Sequence, residues 1–130
     1  MAITHLNPAS IHASPAFSQG TVIPAGSSIV IVGGQNGRGP DGEVVGDSVG
    51  AQTEQALRNV IAVLAEAGAT PADVAKLNIL LVEGVDINEG FAASQRVWGD
   101  HPTAITVQFV RALGRPEWLV EVDAIAAVPA

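Results

Sequence analysis

The order of apolar and polar positions predicts short strands in the first third of the chain. Residues 3–6, 17–23 and 43–45 are alternating or β-branched stretches that end at Asn, Pro or Gly, the residues that favour turns. Residues 28–32 form a nearly unbroken β-branched run, which is typical of a strand covered on both faces. These stretches predict two or three strands before the first helix.

From residue 48 the apolar residues recur every three or four positions, which predicts an amphipathic helix. Its start is capped by Asp47 or Ser48, and Gly68 ends it. The predicted buried positions are Ala56, Leu57, Val60, Ile61, Val63 and Leu64. The predicted solvent positions are Gln52, Glu54, Gln55, Arg58, Asn59 and Glu66.

The remainder of the chain alternates between strand and helix signals. A helical turn at 70–73 precedes a strand at 76–82, and a second helix starts at Asp86 or Asn88 and ends at Trp98. Two final strands are predicted at 103–110 and 118–128. Two helices and about six strands predict one α+β domain over residues 1–130, with a mixed sheet and both helices on one face.

Composition narrows the classes of function. Hydrophobic residues make up 48% of the 130 positions and charged residues 15%, which indicates a folded domain. Thirteen acidic and six scattered basic residues give a net charge of -7, so a nucleic-acid partner is not expected. The chain has no cysteine, which excludes disulfides, thiolate metal sites and a cysteine nucleophile.

The apolar residues also bear on location and assembly. The first residues lack the basic start of a secretory signal, and no stretch approaches the roughly 18 apolar residues of a membrane span. We therefore expect a cytoplasmic protein with no membrane partner. So apolar a composition in a short chain also predicts self-association, and a simple excess of Ala and Val is the alternative explanation.

A glycine-rich stretch at 33–39 follows the strand predicted at 28–32. Such loops bind phosphates when they also open a helix, but here Pro40-Asp41-Gly42 makes a turn and no Gly-Lys-Ser/Thr follows. A turn that permits close backbone approach is the better interpretation. The three His residues have no metal-ligand spacing and no Ser lies in a nucleophile elbow, so no metal or other cofactor is predicted.

The last predicted strand carries two carboxylates among apolar residues. A period of two places Glu121 and Asp123 on one face and apolar side chains on the other. If this strand pairs with the strand before it, Thr106 and Gln108 join the carboxylates in a semi-polar lining. A carboxylate in such a lining is a candidate general acid or base, and a solvated strand face is the alternative.

Four motifs in order carry a resemblance to a known family. They are residues 15–20 (PAFSQG), Gly34-Gln35 after an apolar strand, 53–60 (TEQALRNV) and 121–126 (EVDAIA). Each motif alone is weak, but the ordered set resembles the reactive intermediate deaminase family. This family is also called YjgF-like, or endoribonuclease L-PSP.

The resemblance implies both an architecture and a chemistry. Its subunit is a chorismate-mutase-like α+β fold, and a homotrimer forms in which three sheets close into a barrel. Small-molecule ligands then bind in clefts between neighbouring subunits, without a cofactor. Active members hydrolyse reactive enamines and imines, such as 2-aminoacrylate, to keto acids and ammonia.

The resemblance also implies the residues of the cleft. Glu121 matches the glutamate that handles the attacking water. The matching substrate-binding positions are Phe17, Gly33, Gly34, Gln35, Ala104, Ile105 and Thr106. Three of them depart from the family pattern: Ala104 replaces the Arg that binds the substrate carboxylate, Phe17 replaces a Tyr and Gly33 a Ser.

The missing Arg leaves two main hypotheses. A free α-carboxylate loses a charge-assisted contact worth roughly 1.5–3 kcal/mol. The first hypothesis is therefore a hydrolase or deaminase of another small metabolite, with Glu121 as acid/base, and Arg111 or Arg115 as basic residues able to reach a neighbouring cleft. The second is a non-catalytic trimer that binds a neutral or weakly polar metabolite. An endoribonuclease is a remote third, since the chain has no basic patch.

Overall fold

The computed structural model describes residues 2–130. It contains two α-helices, six strands and one 3₁₀ turn within this range. In chain order these are β1 (Thr4–Leu6), β2 (Gly20–Val22), β3 (Ser27–Gln35), α1 (Val49–Glu66), the 3₁₀ turn (Pro71–Asp73), β4 (Val74–Val82), α2 (Ile87–Trp98), β5 (Ala104–Val110) and β6 (Val120–Pro129). The predicted α+β class is confirmed.

The main sheet has four strands rather than about six. Its order is β3-β6-β4-β5, with β4 and β5 parallel and the other pairs antiparallel. Strands β1 and β2 pair with each other in a separate two-stranded sheet. The flanking residues Ile3 and Ile23 pack this small sheet against Ala75 and Ala127 of the main one.

Two strand predictions are wrong in detail. Residues 43–45 form no strand, because the segment folds back as a turn in which Val44 makes only an isolated bridge with Arg38. The strand predicted at 17–23 is limited to 20–22. The last two strands are not neighbours either, since β4 lies between β5 and β6.

Both helices lie on one face of the sheet, as predicted. The alternate residues of β6 that face them are fully buried, and their neighbours on the opposite face are half-buried. The buried core combines Leu57, Val60 and Leu64 of α1 with residues of β3, β4 and β6. Strand β5 contributes only the partly buried Ile105, which packs against this core. The face of the sheet away from the helices is called the open face below.

The helix ends follow the sequence signals. The Ser48 hydroxyl accepts a hydrogen bond from the Ala51 amide at 3.1 Å, and α1 ends before Gly68, whose φ is +75°. The Asp86 carboxylate caps α2 by accepting from the Asn88 amide at 2.9 Å. No helix of residues 2–130 has the length and apolar character needed to span a membrane.

Glu54 of α1 links the two helices at the surface. Its carboxylate accepts from Arg96 of α2 at 3.0 Å and from Arg58, one turn further along α1, at 3.3 Å. The hydrogen bond from Arg96 lowers the pKa of Glu54 from its ordinary 4.5. The group is exposed, so this link contributes little to stability.

Two residues of α1 depart from the helical pattern, since Val63 is exposed although it was predicted to be buried, and Gln52 is fully buried although it was predicted to face solvent. Its Nε2 donates to the carbonyl oxygens of Gly46 at 2.8 Å and Glu117 at 3.0 Å, and its Oε1 accepts from the Leu119 amide at 2.9 Å. One side chain therefore holds the loop before α1 and the segment that enters β6.

Candidate functional site

Glu121 is the second residue of β6, and its side chain lies on the open face. Its Oε1 accepts a hydrogen bond from Nδ2 of Asn36 at 3.2 Å. The same Nδ2 donates to the Val120 carbonyl oxygen at 3.1 Å, and Asn36 is buried. A buried amide thus fixes one carboxylate oxygen of Glu121 at the end of β3.

The second carboxylate oxygen lies against the glycine pair of β3. The β3–β6 register skips between Val32 and Gln35, so Gly33 and Gly34 occupy a bulge with one residue more than the facing stretch of β6. A Cβ built on Gly34 would lie 2.7 Å from both Cδ and Oε2 of Glu121. Glycine at 34 therefore permits the close approach of the carboxylate, which agrees with the turn-like interpretation of the glycine-rich stretch.

Asp123 lies two residues further along the same face and has its own partner. Its Oδ1 accepts from Asn78 Nδ2 of β4 at 2.9 Å. Asn78 is also in register with Thr106 of β5, whose hydroxyl oxygen accepts from Lys76 Nζ at 2.5 Å. The polar lining proposed for the open face exists, but Thr106 and Gln108 do not adjoin the two carboxylates, because β4 lies between β5 and β6 and adds Lys76 and Asn78 to the lining.

A second group of predicted site residues lies at the β5 edge. Phe17 and Ile105 line an apolar groove of about 390 Å³ between α2 and β5. Ala104 begins β5, where it is half-buried, pairs with Lys76 and makes an isolated bridge with Ser18. The other main lining residues of the groove are Leu77, Ile79, Phe91, Trp98, His101 and Val107.

Two buried polar atoms without partners belong to residues that line this groove and the pocket beside it. Nε1 of Trp98, which lines the groove, makes no hydrogen bond within residues 2–130, and neither does the buried hydroxyl of Thr53. Thr53 lines a smaller adjoining pocket of about 110 Å³ that shares Phe91 and Val107 with the groove. The surface of the groove itself is mainly apolar.

The two groups are separated within one chain. Gly33, Gly34 and Gln35 belong to β3 and Ile105 belongs to β5, which are the two outer strands of the sheet. Adjacent strands lie about 4.8 Å apart, so these edges are about 14 Å apart. Within one chain, Glu121 therefore lies beside the glycine pair of β3 but far from the groove that Phe17 and Ile105 line.

The sequence itself matches the family model described as endoribonuclease L-PSP over residues 7–128. The chain belongs to this family. It is also similar to a solved Rid-family protein of unknown function, YyfB from Yersinia pestis, at 32% identity over 98% of this chain and 100% of that one, with a TM-score of 0.86. No functionally curated protein matches the sequence significantly.

Two further solved members of the L-PSP family share the fold. A YjgF/YER057c/UK114-family protein from Mycobacterium tuberculosis is 28% identical over 98% of this chain and 100% of that one, with a TM-score of 0.67. The YjgF gene product of E. coli is 28% identical over 87% and 91%, with a TM-score of 0.69. L-PSP family proteins are typically homo-oligomeric.

Sequence reasoning about this L-PSP family member missed three polar residues near the site. Asn36 follows the Gly34-Gln35 motif directly, and its position after a glycine bulge was the available signal. Lys76 and Asn78 share a period-two face within an otherwise apolar strand, which is the same signal that drew attention to Glu121. Among residues 2–130, no three His, Asp or Glu side chains converge as a metal-ligand set.

Proposed function

We propose that this chain is a hydrolase of small imines or enamines other than simple 2-aminoacrylate, acting in the cytoplasm with Glu121 as its acid/base. The observation that carries the proposal is the position of the Glu121 carboxylate. Asn36 holds one oxygen, and the other lies beside the backbone of Gly34 on the open face without a hydrogen bond in residues 2–130. An oriented carboxylate with a free oxygen suits proton transfer to and from water.

The proposed reaction consumes one water and releases one ammonia. Glu121 removes a proton from the water as the water oxygen bonds to the imine carbon, and the protonated Glu121 gives that proton to the nitrogen, which yields a neutral carbinolamine. Glu121 then removes the hydroxyl proton of the carbinolamine and passes it to the nitrogen, so that the carbon–nitrogen bond breaks and a carbonyl compound and ammonia are released. The chain needs no cofactor for these steps.

The proposed catalytic unit is a homotrimer with ligands in clefts between subunits. The separation of Glu121 from Phe17 and Ile105 supports this proposal, because the β5 edge of a second copy can complete the site that one chain leaves open. Exposed apolar residues also support it. Ile29 and Ile31 of β3 are 50% and 75% exposed, which is apolar surface that a neighbouring subunit would cover.

The first test measures ammonia release from imines generated in situ, with wild type, Glu121→Gln and Asp123→Asn. We expect Glu121→Gln to reduce turnover by roughly 10²- to 10⁴-fold, since a general acid/base contributes about that much. Asp123→Asn is the matched control, because it lies on the same face of β6 and the substituted amide still accepts from Asn78. Full turnover by folded Glu121→Gln protein would overturn the acid/base assignment.

The same assay tests the role of position 104. We expect wild type to be poor with 2-aminoacrylate and Ala104→Arg to increase that activity by about 10- to 100-fold, the equivalent of a contact worth about 1.5–3 kcal/mol.

The proposed trimer is tested by light scattering of the wild-type protein, which should give the mass of three chains. A monomer with full activity would contradict the intersubunit cleft.

The glycine pair provides a second test of Glu121. A Cβ at 34 collides with the carboxylate, which is the mobile end of a side chain, whereas a Cβ at 33 meets nothing within 4 Å. Gly34→Ala should therefore lower turnover by on the order of 10²-fold, with little change in the free energy of unfolding. Gly33→Ala is the control for the added methyl group, which meets nothing within 4 Å there, and should match wild type in the free energy of unfolding. Equal turnover by the two variants would exclude a role for the Glu121 position.

A non-catalytic binding module is the second candidate, and the apolar groove favours it. Its mainly apolar lining suits a neutral ligand, and Ala104 at the start of the neighbouring strand adds no charge. This candidate predicts no turnover of any imine. It also predicts a ligand-dependent change in Trp98 fluorescence that Trp98→Phe removes.

A further inference from the structure

The apolar groove between α2 and β5 contains most of the aromatic side chains of the chain. The protein has three Phe, two Trp and no Tyr. Three of these five side chains, Phe17, Phe91 and Trp98, line the groove of about 390 Å³. Aromatic rings attract one another in offset-stacked and edge-to-face arrangements beyond what their buried area supplies. The lining of the groove therefore favours a ligand that is itself aromatic.

The two walls of the groove leave apolar surface uncovered. Phe91 on α2 is 52% exposed and Val107 on β5 is 45% exposed. Between these walls the lining is made of buried side chains, among them Trp98 and Leu77. A small ring that enters the groove removes the surface of both walls from water, which is a favourable change. The volume of the groove is within the range of small-molecule sites.

One end of the groove is held in place by Ser18. Its amide donates to the Thr103 carbonyl oxygen at 3.0 Å and its hydroxyl donates to the carbonyl oxygen of Pro102. Thr103 is itself attached to β4 by its buried hydroxyl. The neighbours of the bonded residues, Phe17 and His101, are thereby held at the same end of the groove, which both of them line. None of these hydrogen bonds uses the His101 ring, so its nitrogen atoms stay available to a ligand.

The charge of the lining indicates an uncharged ligand. Among residues 2–130, no Asp, Glu, Lys or Arg lines the groove. An ionised group that enters an apolar site without a partner of opposite charge loses hydration that nothing replaces. The half-buried imidazole of His101 and the exposed amide of Gln95 can each form a hydrogen bond with a neutral polar group.

We propose that the groove binds an uncharged aromatic ring that carries one carbonyl or hydroxyl group. The ring lies against Phe17, Phe91 and Trp98, and the polar group lies at His101. This inference rests on the proposed function in one respect, because the groove is the Phe17 side of the proposed cleft. It names the class of molecule which that side accepts, whether the molecule is hydrolysed or only bound.

The binding test uses acetophenone, an aromatic ring with one carbonyl group, titrated into the full chain by calorimetry. Cyclohexyl methyl ketone is the matched ligand with a saturated ring, and benzoate is the matched ligand with a charge. We expect acetophenone to bind with a Kd of about 1 mM or tighter and each matched ligand to bind about 10-fold more weakly. Equal binding of the saturated ketone, tighter binding of benzoate, or no binding of acetophenone at about 1 mM would overturn the proposal.

Two exposed phenylalanines provide matched variants. Phe91 lines the groove, whereas Phe109 is 50% exposed and lies on β5 outside the lining. We expect Phe91→Ala to weaken acetophenone binding by about 10-fold and Phe109→Ala to leave it unchanged. Equal losses in the two variants would mean a non-specific apolar surface and overturn the site. A smaller mass of Phe91→Ala in light scattering, with no acetophenone bound to wild type, would show that a second copy covers the groove and would also overturn it.

The polar contact is tested with His101→Ala and two ligands. The variant should bind acetophenone about 3- to 10-fold more weakly than wild type does, the loss expected for one neutral hydrogen bond. Its affinity for ethylbenzene, which lacks the carbonyl oxygen, should equal that of wild type. An equal loss for both ligands would contradict the placement of the carbonyl group at His101.

This inference and the proposed hydrolase fail under different results. Acetophenone binding that depends on Phe91, in a protein that hydrolyses no imine, would remove the hydrolase alone. Imine turnover that depends on Glu121, together with equal acetophenone affinities of wild type and Phe91→Ala, would remove the aromatic site alone.

Discussion

Gln52→Ala is expected to lower the free energy of unfolding by about 3 kcal/mol or more. The substitution leaves the carbonyl oxygens of Gly46 and Glu117 and the amide of Leu119 without their partner. Each buried polar group left unsatisfied costs about 1–3 kcal/mol. The lost side chain also leaves a cavity, because Gln52 is fully buried.

Urea unfolding followed by circular dichroism measures this effect. Gln55→Ala is the matched control on the same helix, since Gln55 makes one hydrogen bond, from its Nε2 to Asn59 Oδ1 at 2.9 Å. We expect the control to lose less than about 1 kcal/mol. A Gln52→Ala protein as stable as the control would mean that the three backbone groups find other partners.

Gly37→Ala is expected to destabilise the fold by about 3 kcal/mol through steric overlap. A Cβ at position 37 would lie 2.5 Å from Cα and 2.6 Å from Cβ of Gln52. The helix backbone of α1 fixes the positions of both atoms, so rotation of the Gln52 side chain does not relieve the contact. The loop that contains residue 37 must therefore move away from the helix. That movement also displaces Asn36, the partner of Glu121.

Thermal and urea unfolding should both report the loss in Gly37→Ala. Gly33→Ala is the control, as its Cβ enters open space four residues earlier in the chain. If Gly37→Ala unfolds at the same urea concentration as Gly33→Ala, the loop moves without loss of folding free energy. The close packing of residue 37 on α1 would then not contribute to stability.

The longer elements of the fold were predictable because they have strong periodic signals. The helix ending before Gly68, the helix ending at Trp98 and the alternation along β6 all follow from side chains that repeat at the spacing of a helix or a strand. Periodicity reports which face of an element is buried. It does not report which strand is the neighbour, and so the pairing of β5 with the Glu121 strand could be stated only as a condition, which the structure does not meet.

Buried polar residues were the second source of error. Gln52 looks like a solvent residue in a helical pattern, since only the loops that pack on it reveal its backbone partners. The contact of the exposed Arg38 with Trp118 also gives no sequence signal, because it joins residues 80 positions apart. The resemblance to the family identified Glu121 and Gly34, which the structure brings together.

The two outer strands have a consequence for how copies of this chain can associate. A contact that joins the β3 side of one molecule to the β5 side of the next is head-to-tail rather than two-fold, so successive copies form a closed ring where the rotation closes and an open filament where it does not. Unpaired outer strands such as β3, with Ile29 and Ile31 exposed, are also templates for uncontrolled aggregation. Ring closure would complete each site and protect these edges in a single step, so selection for activity and selection for solubility would act on the same surface.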